Sequence, residues 1–281
     1  MVVKDAWSIR ERTAQLSTAA CAAVMASLLA APAVSAERLN DKDVKALLER
    51  IDNERDRFED QLDGKVKRSI LRGPGGEVNV ERYLDDLQEN VDRLKDRFTP
   101  QYAASAEATT VLRQGSDIQR FMSAQAPNFD GSSEWNRLAA SLAELAAVYG
   151  TTFPVRDGQQ ARRLNDREVR KAADDLAKGA DQFKKELDSS LKKDKTIDKA
   201  AREAAVKEAD ELKKDAQKLA STVGDGRPAS GEAQAVLQRA AGIRTAASGR
   251  TLSPAAQTAW GSVESGVSKI AQAFGLPSRL P

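Results

Sequence analysis

Apolar residues recur at three-and-four spacing through eight stretches of this chain, the period of helices that bury one face. The first stretch runs Val44, Leu47, Leu48, Ile51, Phe58, Leu62, and the second Tyr83, Leu84, Leu87, Val91, Leu94, Phe98. The third carries Ala108, Val111, Leu112, Ile118 and Met122, and the fourth Trp135, Leu138, Leu142, Leu145 and Tyr149. Shifted by 125 residues, the pattern returns. Arg38-Leu39-Asn40-Asp41 reappears as Arg163-Leu164-Asn165-Asp166, Phe58 and Leu62 as Phe183 and Leu187, Trp135 as Trp260, and Gly150 as Gly275. Conservative pairs fill the intervals, among them Ile51 with Leu176, Leu142 with Val267 and Tyr149 with Phe274. Two rare tryptophans and two helix starts in one register point to an internal duplication, with no net insertion between the copies.

Four amphipathic helices joined by short connections predict an up-down bundle, so the expected fold is all-α, two tandem four-helix bundles. The organisation read from the pattern is a leader over residues 1–36, a first bundle over 37–150, a linker over 151–162 containing Pro154 and Gly158, and a second bundle over 163–281. Local chemistry agrees with the helix starts. Asn40 and Asn165 stand as N-caps, with Asp43 and Glu168 three residues on as capping-box partners. Ser253-Pro254 is a cap followed by a first-turn proline, and Gly150 and Gly275 are helix stops.

Composition narrows the function. The chain is 41% apolar but only 5% aromatic, and 31% charged, which suits helices rather than sheets. Its 44 basic and 42 acidic residues nearly cancel, so no global field selects nucleic acid or acidic lipid. Histidine is absent, which removes the commonest general base and metal ligand together. The first 36 residues read as a cleaved secretory signal: Lys4, Arg10 and Arg12 lead an Ala-rich apolar run that ends in Val34-Ser35-Ala36, a small-residue cleavage site. An uncleaved anchor and a lipid-modified Cys21 are the competing readings. Cleavage before Glu37 leaves a mature chain without cysteine and a periplasmic or secreted protein.

Candidate chemistry is sparse. The carboxylates Glu49, Asp52, Asp56, Glu59 and Asp60 alternate with Arg50, Arg55 and Arg57, which predicts a solvated, ion-paired face rather than a tight metal site or an acid–base pair. The lysines between Lys184 and Lys218 interleave with acids and lack stacking aromatics. That stretch therefore predicts a solvated helical hairpin of reduced order, and no nucleic-acid interface. No cofactor motif is present.

Two places remain as candidate sites. Trp135 and Trp260 are candidate linings of symmetric pockets inside the bundles. The connection from Val66 to Asn79, with Arg68, Ile70, Leu71 and Arg72 ahead of Gly73-Pro74-Gly75-Gly76, is a candidate partner-binding loop, able to form a hairpin tip. Its counterpart is the short Ser189–Thr196 stretch, so the loop is expected to be dispensable for folding. These features predict an exported, non-catalytic module that binds a partner protein or an envelope surface. The alternative is a carrier of an apolar or amphipathic small molecule, with an enzyme working through Asp, Glu, Lys, Arg, Ser or Tyr third.

Overall fold

The computed structural model describes residues 37–73, 76–124, 130–194, 197–247 and 252–277, and among them the chain is mostly helical. The leader over 1–36 lies outside the described residues. In chain order the elements are α1 (Asp41–Gln61), α2 (Gly64–Lys67), β1 (Ile70–Gly73), β2 (Gly76–Asn79), α3 (Val80–Arg97), α4 (Ser105–Ser123), α5 (Ser132–Val148), α6 (Asp166–Lys193), α7 (Lys199–Gly224), α8 (Ser230–Ala247) and α9 (Pro254–Ala273). No helix of the described residues is long and apolar enough to cross a membrane.

The caps form where the sequence places them. Asn165 Oδ1 accepts from the Glu168 amide (2.8 Å), and Glu168 accepts in return from the Asn165 amide (2.9 Å). Asn40 Oδ1 likewise accepts from the Asp43 amide (2.9 Å), but Asp43, one methylene shorter than a glutamate, accepts a hydrogen bond from Asn40 Nδ2 (2.7 Å) and leaves the box open. Gly150 and Gly275 both sit at positive φ (65° and 62°), where a side chain would be strained.

α1, α3, α4 and α5 enclose one core, and α6, α7, α8 and α9 enclose another. In each set every helix packs on its sequence neighbours, and the first packs on the last. Successive helices run in opposite directions. Lys95 near the end of α3 reaches Asp52 on α1 (2.7 Å), and Tyr83 at the start of α3 donates to Asp117 late on α4 (2.8 Å). In the second set, Lys184 pairs with Asp210 (2.6 Å) and Lys213 with Asp181 (2.8 Å). The indoles hold equivalent places: Trp135 packs on Phe58 with ring centroids 5.2 Å apart and a tilt of 52°, Trp260 on Phe183 at 5.0 Å and 53°.

The two sets meet at the N-termini of α1 and α6 through reciprocal contacts. The Asp166 carboxylate accepts from the Asp41 amide (2.8 Å), and the Asp41 carboxylate from the Asp166 amide (3.0 Å). Arg38 donates to Asp166 (2.6 Å) and to the Leu164 carbonyl (2.8 Å), while Arg163 donates to Asp41 (2.7 Å) and to the Leu39 carbonyl (2.9 Å). The Arg38 amide faces Ser230 Oγ (3.5 Å) and the Arg163 amide faces Ser105 Oγ (3.3 Å). Each contact is the other moved by 125 residues. Two helix N-termini brought together carry like partial charges and unpaired first-turn amides, and the exchanged carboxylates answer both. Burial, followed by the charge of Arg163, pulls the Arg38 guanidinium below its ordinary pKa, and Asp166 opposes the pull.

Residues 151–162, expected as a linker, lie along α4. The Val155 amide donates to Ser116 Oγ (2.8 Å) and the Ala161 amide to Thr109 Oγ1 (3.0 Å), with Ala161 buried in the first core. The segment that leads into α6 thus packs with the first core, while α6 itself belongs to the second. All the described residues fall within one compact unit, Ala36–Pro281.

Candidate functional site

The far end of each helix set, remote from the junction, is where the two differ. In the first set the chain leaves α1 at Gly64, turns through α2, and forms the antiparallel β1–β2 hairpin, with Ile70 opposite Asn79, Leu71 opposite Val78, Arg72 opposite Glu77 and Gly73 opposite Gly76. A hairpin at this tip matches the sequence expectation. Its relation to the second set does not. The offset is constant, so residues 64–79 correspond to 189–204, and those residues extend the helices: α6 has 28 residues against 21 in α1, and α7 has 26 against 18 in α3. The hairpin is therefore an alternative fold of an equivalent stretch. Gly73-Pro74-Gly75-Gly76 corresponds to Asp198-Lys199-Ala200-Ala201, and without glycine or proline there α7 begins at Lys199, six residues ahead of the position equivalent to the start of α3.

The hairpin's two neighbouring apolar residues part company, because successive strand residues face opposite sides. Leu71 is 1% exposed and belongs to the first core, with Val66 and Val78 packed against it. Leu71, read with Arg68, Ile70 and Arg72 as part of the candidate partner-binding loop, is thus a core residue. Ile70 is 57% exposed, and Arg68 and Lys65 before it in the chain are exposed too. The side chain of Arg72 lies outside the described residues. Ser69 ties the turn down, its hydroxyl donating to the Lys65 carbonyl (3.0 Å).

Neither indole lines the apolar cavity found among the described residues. Trp135 is 3% exposed, and its Nε1 donates to Gln119 (3.0 Å), so it is packed and satisfied. Trp260 is half-buried against Phe183. The open space lies elsewhere, at the far end of the second set, where Phe183, Leu187, Leu191, Ala201, Ala205 and Ile243 wall an apolar cavity of about 300 Å³. Glu208 stands at its margin, held by Arg239 (2.9 Å).

The charged face on α1 is only partly as expected. Arg50 pairs with Glu144, and Arg55 pairs with Asp56 (2.7 Å) and Glu59. Arg55 is 3% exposed, however, because it follows Ile51 by four residues and precedes Phe58 by three, which puts it on the core stripe. The lysine-rich stretch is helical on both sides of residues 195–196, which lie outside the described residues, and Lys184, Lys185, Lys192, Lys213, Lys214 and Lys218 are paired with carboxylates. Its carboxylates are pushed further toward the charged form: hydrogen bonds from Lys185 and Lys213 hold Asp181 down to about 2, and Lys192 and Lys184 lower Asp188 and Asp210. Among the described residues no cluster of three or more carboxylates is placed to hold a metal ion.

No family model matches the chain, and no curated protein or solved structure matches it.

Proposed function

We propose that this chain is exported, that its mature part is a four-helix bundle duplicated in tandem, and that it works without catalysis as a binding or scaffolding module in the cell envelope. The observation that supports duplication most strongly is the reciprocal junction. Arg38 with Asp166 and Arg163 with Asp41 form one contact used twice, as in an isologous interface between two copies of a subunit. Export rests on the leader and its Val34-Ser35-Ala36 site.

A non-catalytic role is supported by the direction in which side chains are tuned. The lowered carboxylates are driven away from neutral pH by ammonium partners, the reverse of what a general acid or base working near pH 7 requires. Binding is assigned to the base of the hairpin, where Ile70 and Arg68 combine an exposed apolar side chain with charge.

The test keeps Leu71 in place. Arg68→Glu with Ile70→Asp should leave helicity and melting unchanged, and should abolish photocrosslinking from a photoreactive residue at exposed position 65 to any partner in the intact envelope. Unchanged crosslinks would remove the hairpin as the contact. Mass analysis of the envelope protein should find a chain beginning at Glu37, and an intact Met1 in mature material would overturn export.

A further inference from the structure

The first helix set fills its own far end. Val80, Tyr83 and Met122 are buried there, Phe121 packs against them, and Leu71 enters from the hairpin. At the constant offset of 125, the first four positions become Ala205, Glu208, Ala247 and Ala246, and Leu71 becomes Thr196. The exchanges of Val80, Tyr83, Met122 and Phe121 all remove apolar volume, and the four residues that replace them all line the same end. The cavity beside Leu187, Leu191 and Ile243 is what remains. Protein interiors close voids because unfilled apolar space weakens packing on every wall around it. Here two of the walling helices, α6 and α7, are longer than their counterparts, and the space stays open.

Its dimensions fit a ligand. An apolar cavity of roughly 150 Å³ takes up benzene, and small-molecule pockets begin at roughly 300 Å³, the size found here. Its chemistry narrows the class. The lining is aliphatic apart from Phe183, and the carboxylate of Glu208 at the margin already accepts from Arg239. Nothing polar inside is arranged to orient a polar molecule. The space that Leu71, Val80 and Met122 fill in the first set is aliphatic in shape.

We propose that the far end of the second helix set binds the aliphatic chain of an amphiphile, tail first between α6, α7 and α8, with the head group left in water at the Glu208 margin. The indoles, where the carrier expectation placed its pockets, take no part. One chain binds per molecule, because the equivalent space in the first set is occupied by Leu71. The site stands independently of the hairpin's partner.

Photolabelling of the full chain with a 1-decanol analogue bearing a terminal diazirine tests this. The label should fall on peptides that contain Leu187, Leu191 and Ile243, and excess plain 1-decanol should compete it away. Restoring the first-set residues with Ala205→Val, Glu208→Tyr, Ala246→Phe and Ala247→Met should reduce that labelling at least tenfold while helicity is kept. Should the fourfold variant fail to fold, Ala247→Met alone is read the same way. A reciprocal signal is expected from Leu71→Ala, which should admit label to the first set near Ile118. Labelling that 1-decanol does not compete, that spreads over the helices without preference, or that survives Ala247→Met undiminished would overturn the proposal.

Discussion

Replacing Leu71 by alanine separates a hairpin that is part of the core from one that merely decorates it. The side chain is 1% exposed and packs with the first core from a four-residue strand. Three carbons leave the interior, and at ~0.8 kcal/mol each the transfer term is about 2.4 kcal/mol. The cavity left behind adds to this, but a hairpin at the end of a helix set can settle inward, so the total should fall near the lower end of the range for buried Leu→Ala, about 3 kcal/mol. That is roughly a 150-fold loss in the folding equilibrium of the first helix set. The adjacent Ile70→Ala removes a 57% exposed side chain and should cost less than about 0.5 kcal/mol. Urea unfolding of a chain beginning at Glu37, with Trp260 replaced by Phe, reads the effect through Trp135 in the affected core. With a slope of ~2 kcal/mol/M, the midpoint should move by about 1.5 M for Leu71→Ala and barely for Ile70→Ala. Losses for the two variants within 0.5 kcal/mol of each other would refute the placement of the hairpin in the core.

Three further outcomes are expected. Asp166→Asn removes a charged acceptor from both Arg38 and the Asp41 amide, and should cost about 2 kcal/mol by denaturant unfolding, with Asp41→Asn costing a similar amount. Gly115→Ala would place a Cβ 2.7 Å from Leu142 Cδ1 and 3.1 Å from Phe153 Cε2; overpacking should outweigh the gain in helix propensity by about 1 kcal/mol, a loss of melting temperature that a smaller residue at 153 should relieve. Asp181 is held near 2 when folded against 3.8 when free, so its stabilising effect is complete above about pH 4 and disappears as the pH falls toward 2. Melting temperature followed down that range should fall less steeply for Asp181→Asn than for the parent chain.

Much of the helical frame was readable because it rests on local rules. Asn40, Asn165 and Ser253 cap because their side chains reach amides two or three residues ahead, and the apolar stripes meet because a helix brings every third and fourth residue to one side. The burial of Leu71 was not readable, since four residues of alternation allow either face inward and only the tertiary position of the hairpin decides. The charge of Arg55 points to the solvated face, whereas its phase on the stripe carries it into the core. The junction was hidden for a related reason: Arg38 and Asp41 beside a helix start read as ordinary local electrostatics, although a tetrad repeated unchanged while the flanking core varies is a usable signal. The cavity, too, could have been found by comparing Tyr83 with Glu208, Phe121 with Ala246 and Met122 with Ala247 at the constant offset. Reading each stripe separately loses that contrast.

Cutting the chain between its halves tests the account most directly. Asp157 and Gly158 are exposed, so a specific protease site placed between them in the otherwise intact chain is accessible. After cleavage, the C-terminal fragment still carries Ala161 in the first core and Arg163 on Asp41, while the N-terminal fragment keeps Arg38 on Asp166. Exchanged segments of this kind hold two bodies together without a covalent link. The fragments should co-elute as one species on size exclusion in moderate salt, and should separate when Asp41 and Asp166 are both replaced by lysine. Separate elution of the unmutated fragments would contradict the reciprocal junction, and with it the reading of this protein as two equivalent bundles joined as a pair.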